Sequence, residues 1–376
     1  MTKPPALRQD SLSVRSRIYR TLYDSRSLCS RRTLAESCAV SMPTLYQNLN
    51  KLIDEGLVCI SGEEQSTGGR RAKGLEIVPD ARFSVGISVS ERSLRLVAAD
   101  LRLQELAYAS LPFDVRSCLD GSSPKVAAHL EDFLDAHALD RSRLLGVGVT
   151  VPGLVSEDRR LLYFAPTLNL RNLPMADLLG DVPYSVFVDN DGSASGHAEY
   201  FVRRSSWNMA YISLENGVGG AVLAGKSPYT GDHSRSGEFG HICVEPGGLR
   251  CSCGKMGCLE AYCSPLRIEN SLGVSTEVFF QGVAEHVPEY EALLYDMLRH
   301  LAIAVNSIRM TLDCDVVLGG FLSEYLLPYL PILRRYVLAG NPFEEHADFV
   351  QFSTLRRHIT PLGAALYFIR DFVESI

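Results

Sequence analysis

Between Gly237 and Cys263 the chain reads G-E-F-G-H-I-C-V-E-P-G-G-L-R-C-S-C-G-K-M-G-C-L-E-A-Y-C, and five of its ten cysteines fall in this stretch. Cys251, Cys253 and Cys258 form C-x-C-x4-C, with Gly254 and Gly257 supplying the tight turns that bring three sulfurs to one ion. His241 lies ten residues upstream of Cys251. Three thiolates and one imidazole make a closed tetrahedral shell, the form of a structural zinc site that leaves no position for water. Sulfur ligands select zinc over magnesium or calcium. Cys243 and Cys263 are alternative ligands of lower rank, the first in an alternating run and the second in a helical pattern, and the plain alternative is five free cysteines in a loop. Glu238 and Glu260 flank the cluster. An imidazole that binds metal through one nitrogen keeps the other as a fixed hydrogen-bond donor, which beside two carboxylates suits a ring of hydroxyls.

E-F-G-H followed by C-S-C-G-K-M-G-C-L-E resembles the signature of the ROK family, which groups bacterial repressors and sugar kinases on an actin-like fold. The resemblance implies zinc at His241, Cys251, Cys253 and Cys258. It implies sugar contacts from Glu238, His241 and Glu260, joined by Asn190, Asp191, Gly153 and Thr167.

Elements before and after this stretch must position it. A chain of 376 residues is long enough for two or three domains, and 46% hydrophobic residues can build sizeable cores. No window approaches the apolar length of a membrane span, and the start, M-T-K-P-P-A-L-R-Q-D, lacks a signal-peptide core. The expectation is a cytoplasmic protein with reduced or metal-bound cysteines. Residues 1–80 carry 12 Lys+Arg against 9 Asp+Glu, so the formal charge of −7 divides into a head of +3 and a body of −10. Such a split hints at a nucleic-acid module.

Within that head the periodicity predicts three helices, from Arg15 to Tyr23, Ser30 to Cys38 and about Met42 to Glu55. Leu45, Leu49, Leu52 and Ile53 would face a core, leaving Thr44, Tyr46, Gln47 and Asn50 outward. Two short apolar segments, 57–60 and 75–78, follow, joined by Gly68-Gly69-Arg70-Arg71. This is the outline of a winged helix-turn-helix, with the third helix in the major groove and Arg70 and Arg71 on the wing tip. A small helical interaction domain is the alternative.

Pro79-Asp80-Ala81-Arg82 reads as a linker. After it come strands at Phe83–Val89 and Leu94–Asp100, a third from about Glu105, a helix over 124–138 and a buried strand Leu144–Val151 ending in Pro152-Gly153. The alternation argues for an α/β core. The resemblance makes it an actin-like (RNase H-like) two-lobed ATPase fold, with the winged head over 1–80, lobe 1 over 81–190 joined by a returning helix within 355–376, and lobe 2 over 191–354 carrying the zinc motif.

Against the family's kinases the nucleotide loops depart from pattern. Aligned on Gly86 and Asp100, the chain reads Ser88-Val89-Ser90-Glu91-Arg92 where an Asp-x-Gly-Gly-Thr loop holds phosphates and magnesium. A carboxylate at Glu91 would repel a triphosphate. Glu215-Asn216-Gly217-Val218-Gly219-Gly220 half-retains the second phosphate loop, and Asp315 to Gly320 resembles the adenosine motif. Asn190 and Asp191 match the family's Asn-Asp-Ala-Asn segment, in which the Asp is the general base; a strand-end turn with an Asp cap is the alternative. Sugar residues kept and phosphate loops lost imply a sugar-responsive regulator, a repressor dimer or tetramer on operator DNA. The competing readings are a sugar kinase with a divergent loop and a DNA-bound protein controlled by another protein.

Overall fold

The computed structural model describes residues 13–25, 28–63, 73–203, 208–225 and 227–376. At the N-terminus α1 (Val14–Asp24), α2 (Arg31–Ser37) and α3 (Met42–Asp54) each begin after a serine. Ser13, Ser30 and Ser41 accept from the backbone N–H three residues on, at 3.0, 3.1 and 3.3 Å, which satisfies donors the first helical turn leaves free. Leu45, Leu49 and Leu52 are fully buried against Ile18, Tyr19 and Leu34. An antiparallel pair, β1 (Val58–Glu63) and β2 (Lys73–Ile77), completes the winged unit.

The presumed linker is not a tether. Pro79–Ala81 forms a turn of 3-10 helix, and its Pro79 carbonyl accepts from Leu101 N–H at 2.9 Å. Tyr23 donates to the Leu101 carbonyl at 2.6 Å, and the Arg102 guanidinium donates to the carbonyls of Leu22, Tyr23 and Ser25 at the end of α1. One apolar cluster runs from Ile18 and Leu45 in the head to Leu101, Leu366 and Ile369 in the body. Burial of that shared surface, which four residues of sequence could not announce, fixes the head on the body.

Two five-stranded sheets share one topology. In the first, β3 (Phe83–Val89), β4 (Ser93–Asp100) and β5 (Glu105–Pro112) form an antiparallel meander. Two short helices, α4 (Val115–Asp120) and α5 (Val126–Ala136), precede β6 (Leu144–Val151), which is parallel to β3. A small sheet of β7 (Leu154–Val155), β8 (Leu161–Ala165) and β9 (Leu170–Pro174), then α6 (Met175–Leu179), leads to β10 (Val186–Asn190), parallel to β6. Helix α7 (Asp191–Arg203) crosses to the second sheet.

There β11 (Met209–Leu214), β12 (Val218–Ala224) and β13 (Ser227–Tyr229) repeat the meander. The cysteine-rich loop follows, then α8 (Glu260–Cys263), α9 (Pro265–Leu272), α10 (Thr276–Ala284) and the long α11 (Pro288–Leu312). Strand β14 (Asp315–Gly319) is parallel to β11; α12 (Phe321–Leu326), α13 (Leu330–Ala339) and β15 (Val350–Phe352) close the lobe. The last helix, α14 (Ile359–Ser375), returns to the first sheet and packs on β3, β6 and α7. Glycines permit that seating: a Cβ on Gly86 would stand 1.7 Å from the Pro361 carbonyl oxygen, and one on Gly148 2.0 Å from that of Ala364.

Candidate metal centre and interlobe site

His241, Cys251, Cys253 and Cys258 bring their ligand atoms within 4.8 Å of one another. Cys253 Sγ and Cys258 Sγ are 3.8 Å apart, and Cys251 Sγ is 3.8 Å from His241 Nδ1. A tetrahedral ion with metal–sulfur bonds of about 2.3 Å would separate its sulfurs by roughly 3.8 Å, the spacing of Cys253 and Cys258, so the donor set suits zinc. A disulfide, with sulfurs at about 2.05 Å, does not fit this spacing. Burial, followed by the neighbouring Cys251 and Cys253, pushes the Cys258 thiol up to about 12.

The loop is held by its backbone. Cys251 N–H donates to the Lys255 carbonyl at 2.8 Å and Gly257 N–H to that of Leu249 at 2.7 Å. Gly257 has φ +81°, and the Glu245 carbonyl oxygen lies 1.9 Å from where its Cβ would be, so only glycine fits. Neither alternative ligand joins the cluster. Cys243 is exposed and bridges to Cys258 through backbone only; Cys263 is buried and donates to the Met297 carbonyl at 3.3 Å.

With Nδ1 turned to the sulfurs, His241 presents Nε2 toward Glu238 Oε2 at 3.9 Å. The Glu260 carboxylate is 8% exposed; Oε2 accepts from Val218 N–H at 3.0 Å and Oε1 from the Ser252 hydroxyl at 2.5 Å. Gly217 brings the two lobes together, since a Cβ there would lie 3.2 Å from Glu260 Oε2 and 3.4 Å from Thr167 Cγ2. The Thr167 hydroxyl is buried and has no hydrogen-bond partner. An orphaned buried hydroxyl is a group that a ligand hydroxyl would satisfy.

Asn190 and Gly153 meet each other. The Asn190 amide donates to the Gly153 carbonyl at 3.0 Å while its oxygen accepts from Ser193 N–H at 3.1 Å, so this side chain fixes the loop after β6 to the start of α7. Asp191 opens α7 and accepts from Gly192 N–H at 2.8 Å. Burial, reinforced by the charges of Glu215 and Glu238 and opposed by the Gly192 N–H and Arg95, raises its carboxyl to about 7. Burial likewise raises Glu238.

In the head, Tyr46 (44% exposed), Gln47 and Asn50 lie on the outer face of α3. Thr44 is half-buried, and its hydroxyl is engaged with that of Ser41 at 2.8 Å, which makes it part of the helix cap. Arg31 lies over the Tyr46 ring, 5.6 Å from its centre. Arg70 and Arg71 fall outside the described residues.

Two residues at the site escaped the reading of the sequence. Ser252, between two ligand cysteines, was in plain view inside the motif. Arg95, an arginine between Leu94 and Leu96 in a buried strand, was legible only as a charge in an apolar alternation.

The ROK family profile matches residues 122–370. The chain belongs to the ROK family. A xylose repressor of Bacillus subtilis is 29% identical to this ROK protein over 372 residues, 92% of each chain. A glucokinase of Halalkalibacterium halodurans is 32% identical over 253 residues, 66% of this chain and 74% of the other. A crystal structure described as a ROK family transcriptional regulator, homolog of the E. coli MLC protein, superposes with TM-score 0.74 at 20% identity over 96% of both chains. At that identity the likeness speaks for the fold, two actin-like lobes behind a winged helix-turn-helix head. The family holds both repressors and sugar kinases. Among the described residues no helix is long and apolar enough to cross a membrane.

Proposed function

We propose that this ROK protein is a sugar-responsive repressor of carbohydrate-utilisation genes, in which a monosaccharide or its phosphate binds between the lobes and alters the grip of the head on operator DNA. The observation that carries this reading is His241 Nε2 turned toward Glu238, with Glu260 and Thr167 on either side of Gly217, in a chain whose phosphate turns hold Glu91 and Glu215. Likeness to repressors over nearly the whole chain, head included, supports it.

In this reading residues 1–80 are the DNA-binding unit, with Tyr46, Gln47, Asn50 and the wing residues Arg70 and Arg71 meeting the duplex. Residues 81–190 with 355–376, and 191–354, are the lobes. Zinc held by His241, Cys251, Cys253 and Cys258 supplies a rigid brace and no reactive position. It fixes the His241 ring so that Nε2–H donates to a sugar hydroxyl, while Glu238, Glu260 and Asp191 accept from others. Asn190 orients the Gly153 loop and the start of α7 with one N–H and one lone pair, and its second N–H is left for a sugar oxygen.

Helix α14 is the route to the head. At its start Thr360 meets the Ser195 hydroxyl at 3.0 Å, and Ser195 donates to the Asp191 carbonyl at 2.7 Å. At its end the Ile376 carbonyl accepts from Ser16, and Phe372 packs edge-on against Tyr19 of α1. Seventeen residues span about 25 Å. A sugar that binds two lobe arrangements with different affinity would therefore bias the head. In a homodimer or homotetramer this changes the spacing of paired heads on a two-fold operator.

The test is a melting curve against a panel of sugars and sugar phosphates, with and without magnesium-ATP. A ligand at about 100 times its Kd adds roughly 2.7 kcal/mol. A shift with one sugar and none with ATP, followed by loss of operator binding with that sugar, is the expected result. ADP formation would instead identify a kinase, and operator binding untouched by any sugar would point to control by a partner protein.

A further inference from the structure

One arginine joins the hairpin of the small sheet to the strand end beside it, and it does so from a conformation arginine rarely adopts. Strands β7 and β8 form that hairpin, with Gly153 just before it, Thr167 just after it and Arg159 in its turn. Arg159 has φ +61°, in the left-handed region that favours glycine, and its N–H donates to the Ser156 carbonyl at 2.9 Å. A long side chain persists there when its surroundings over-determine it. Its Nη1 donates to Asp189 Oδ1 at 2.6 Å, and its guanidinium lies over the Phe187 ring, 4.9 Å from the centre. Phe187 and Asp189 stand two apart on β10 and so share one face. Helix α14 lies on that face: Phe187 is in register with Gly148, over which the Ala364 carbonyl sits, and its ring stacks on Tyr367 with centres 3.6 Å apart and planes 4° apart.

The Asp189 oxygen that takes Arg159 also accepts from Asn190 N–H at 2.9 Å, and the Asn190 amide returns to the Gly153 carbonyl at 3.0 Å. A ring of contacts therefore closes from Arg159 through Asp189 and Asn190 to the base of the hairpin, with Asp191 the next residue. Burial raises the Asp189 carboxyl, and the Arg159 charge opposes that shift. We propose that Arg159 is a positioning residue for the interlobe site: it clamps the hairpin onto the end of β10, so setting Asn190 and Asp191, and it links the hairpin through Phe187 and Tyr367 to α14. A ligand drawn to Thr167 would shift the hairpin as a unit. The planar guanidinium, bonded to one β10 side chain and stacked on another, carries that shift to the helix that reaches the head. The ligand part of this inference rests on the sugar-sensor reading; the clamp itself does not.

The experiment compares R159G, R159N and R159K in the full chain, purified with zinc. Glycine and asparagine both accept a left-handed turn, so these two variants remove the guanidinium without straining the backbone, while lysine keeps the cation. Hydrogen exchange of peptides covering residues 186–193 reads the clamp without any sugar. R159G and R159N are each expected to speed exchange there by about fivefold or more, and R159K to recover most of the protection. Exchange left unchanged in either of the first two, or R159K exchanging as fast as they do, overturns the clamp.

Calorimetric titration with D-xylose, D-glucose and N-acetyl-D-glucosamine forms the second arm. Whichever of these binds the parent protein is expected to bind R159G and R159N about tenfold more weakly and R159K within about threefold of the parent. Y367A is expected to keep that affinity and to lose the effect of the sugar on hydrogen exchange of residues 14–24 in α1. An effect absent from the parent, or persisting in Y367A, overturns the link to α14. If none of the sugars binds while lysine still rescues the exchange, the sugar-sensor reading fails and the clamp stands. If a sugar binds the parent, R159G and R159N equally, Arg159 does not position the site and the sensor reading survives.

Discussion

The two ends of the interlobe cleft are organised on opposite principles. At the cysteine-rich end, groups are held rigid by a metal-binding cluster and left with unspent hydrogen-bonding capacity: His241 Nε2, the half-exposed Glu238 and the buried Thr167 hydroxyl. At the other end the chain answers itself, with the Glu215 carboxylate on the Phe321 N–H. Capacity kept in reserve marks a place where a ligand completes the structure, whereas capacity spent internally marks a place where a ligand would have to displace something. Both ends descend from the same five-strand topology, so the difference lies in the side chains and in one inserted loop.

The harshest way to break the braced end is Cys251→Ser. Metal content should fall below one ion per chain, and the second lobe should lose several kcal/mol, on the order of the free energy that a structural zinc site contributes; full metal retention by elemental analysis would remove Cys251 from the shell. Next in size is a buried clasp between α7 and the segment before α14, Glu199, whose carboxylate accepts from Ser353 (2.6 Å), Thr354 N–H (2.7 Å) and Leu355 N–H (3.0 Å) and pairs with Arg203. Burial alone would raise its pKa, but these hydrogen bonds hold it below the ordinary value. Glu199→Ala should cost about 3–5 kcal/mol in urea unfolding, because Arg203 and several donors lose their partner. A loss under about 1 kcal/mol would mean the clasp is dispensable.

Glu238→Gln sharpens the comparison without dismantling it. Sugar affinity should fall by roughly tenfold to a hundredfold, with a melting temperature close to that of the parent. Asp191 offers a pH test. Its folded-state carboxyl titrates at about 7, above the ordinary 3.8, so the folded protein holds a proton that the unfolded chain releases first. Stability from this group is therefore full below about pH 4 and is lost as pH rises toward 7. Asp191→Asn should stabilise the protein increasingly over that window, reaching on the order of 2 kcal/mol near pH 8, a figure reduced for water entering the cleft. An increment that does not change with pH would refute the shifted titration. Smallest in folding terms are Tyr46→Ala and Asn50→Ala on the outer face of α3. Each should leave stability within about 0.5 kcal/mol of the parent and weaken operator binding by roughly 1–3 kcal/mol in a gel-shift or anisotropy titration.

Motif-borne features were legible because their chemistry is local. C-x-C-x4-C with an upstream histidine dictates its own loop, and the serine-capped amphipathic helices of the head follow from patterns of four to eight residues. Strand positions in the first sheet also followed from apolar runs between turns. Thr44 was misread as free because an outward helix position does not reveal that its hydroxyl completes a cap with Ser41. Nor does a strand-end asparagine reveal that its amide donates to the Gly153 carbonyl while its oxygen accepts from Ser193 N–H.

By itself, then, the sequence determined the members of the His/Cys cluster, the helical head and the family, since each depends on residue types at fixed short spacing. Only the tertiary structure decided which nitrogen of His241 faces the sulfurs and how Gly217 comes to lie between Glu260 and Thr167. It also decided that residues 79–82 dock rather than swing. These are contacts between segments far apart in the chain, set by burial of shared apolar surface and by a helix seated on glycines, and no local pattern encodes them.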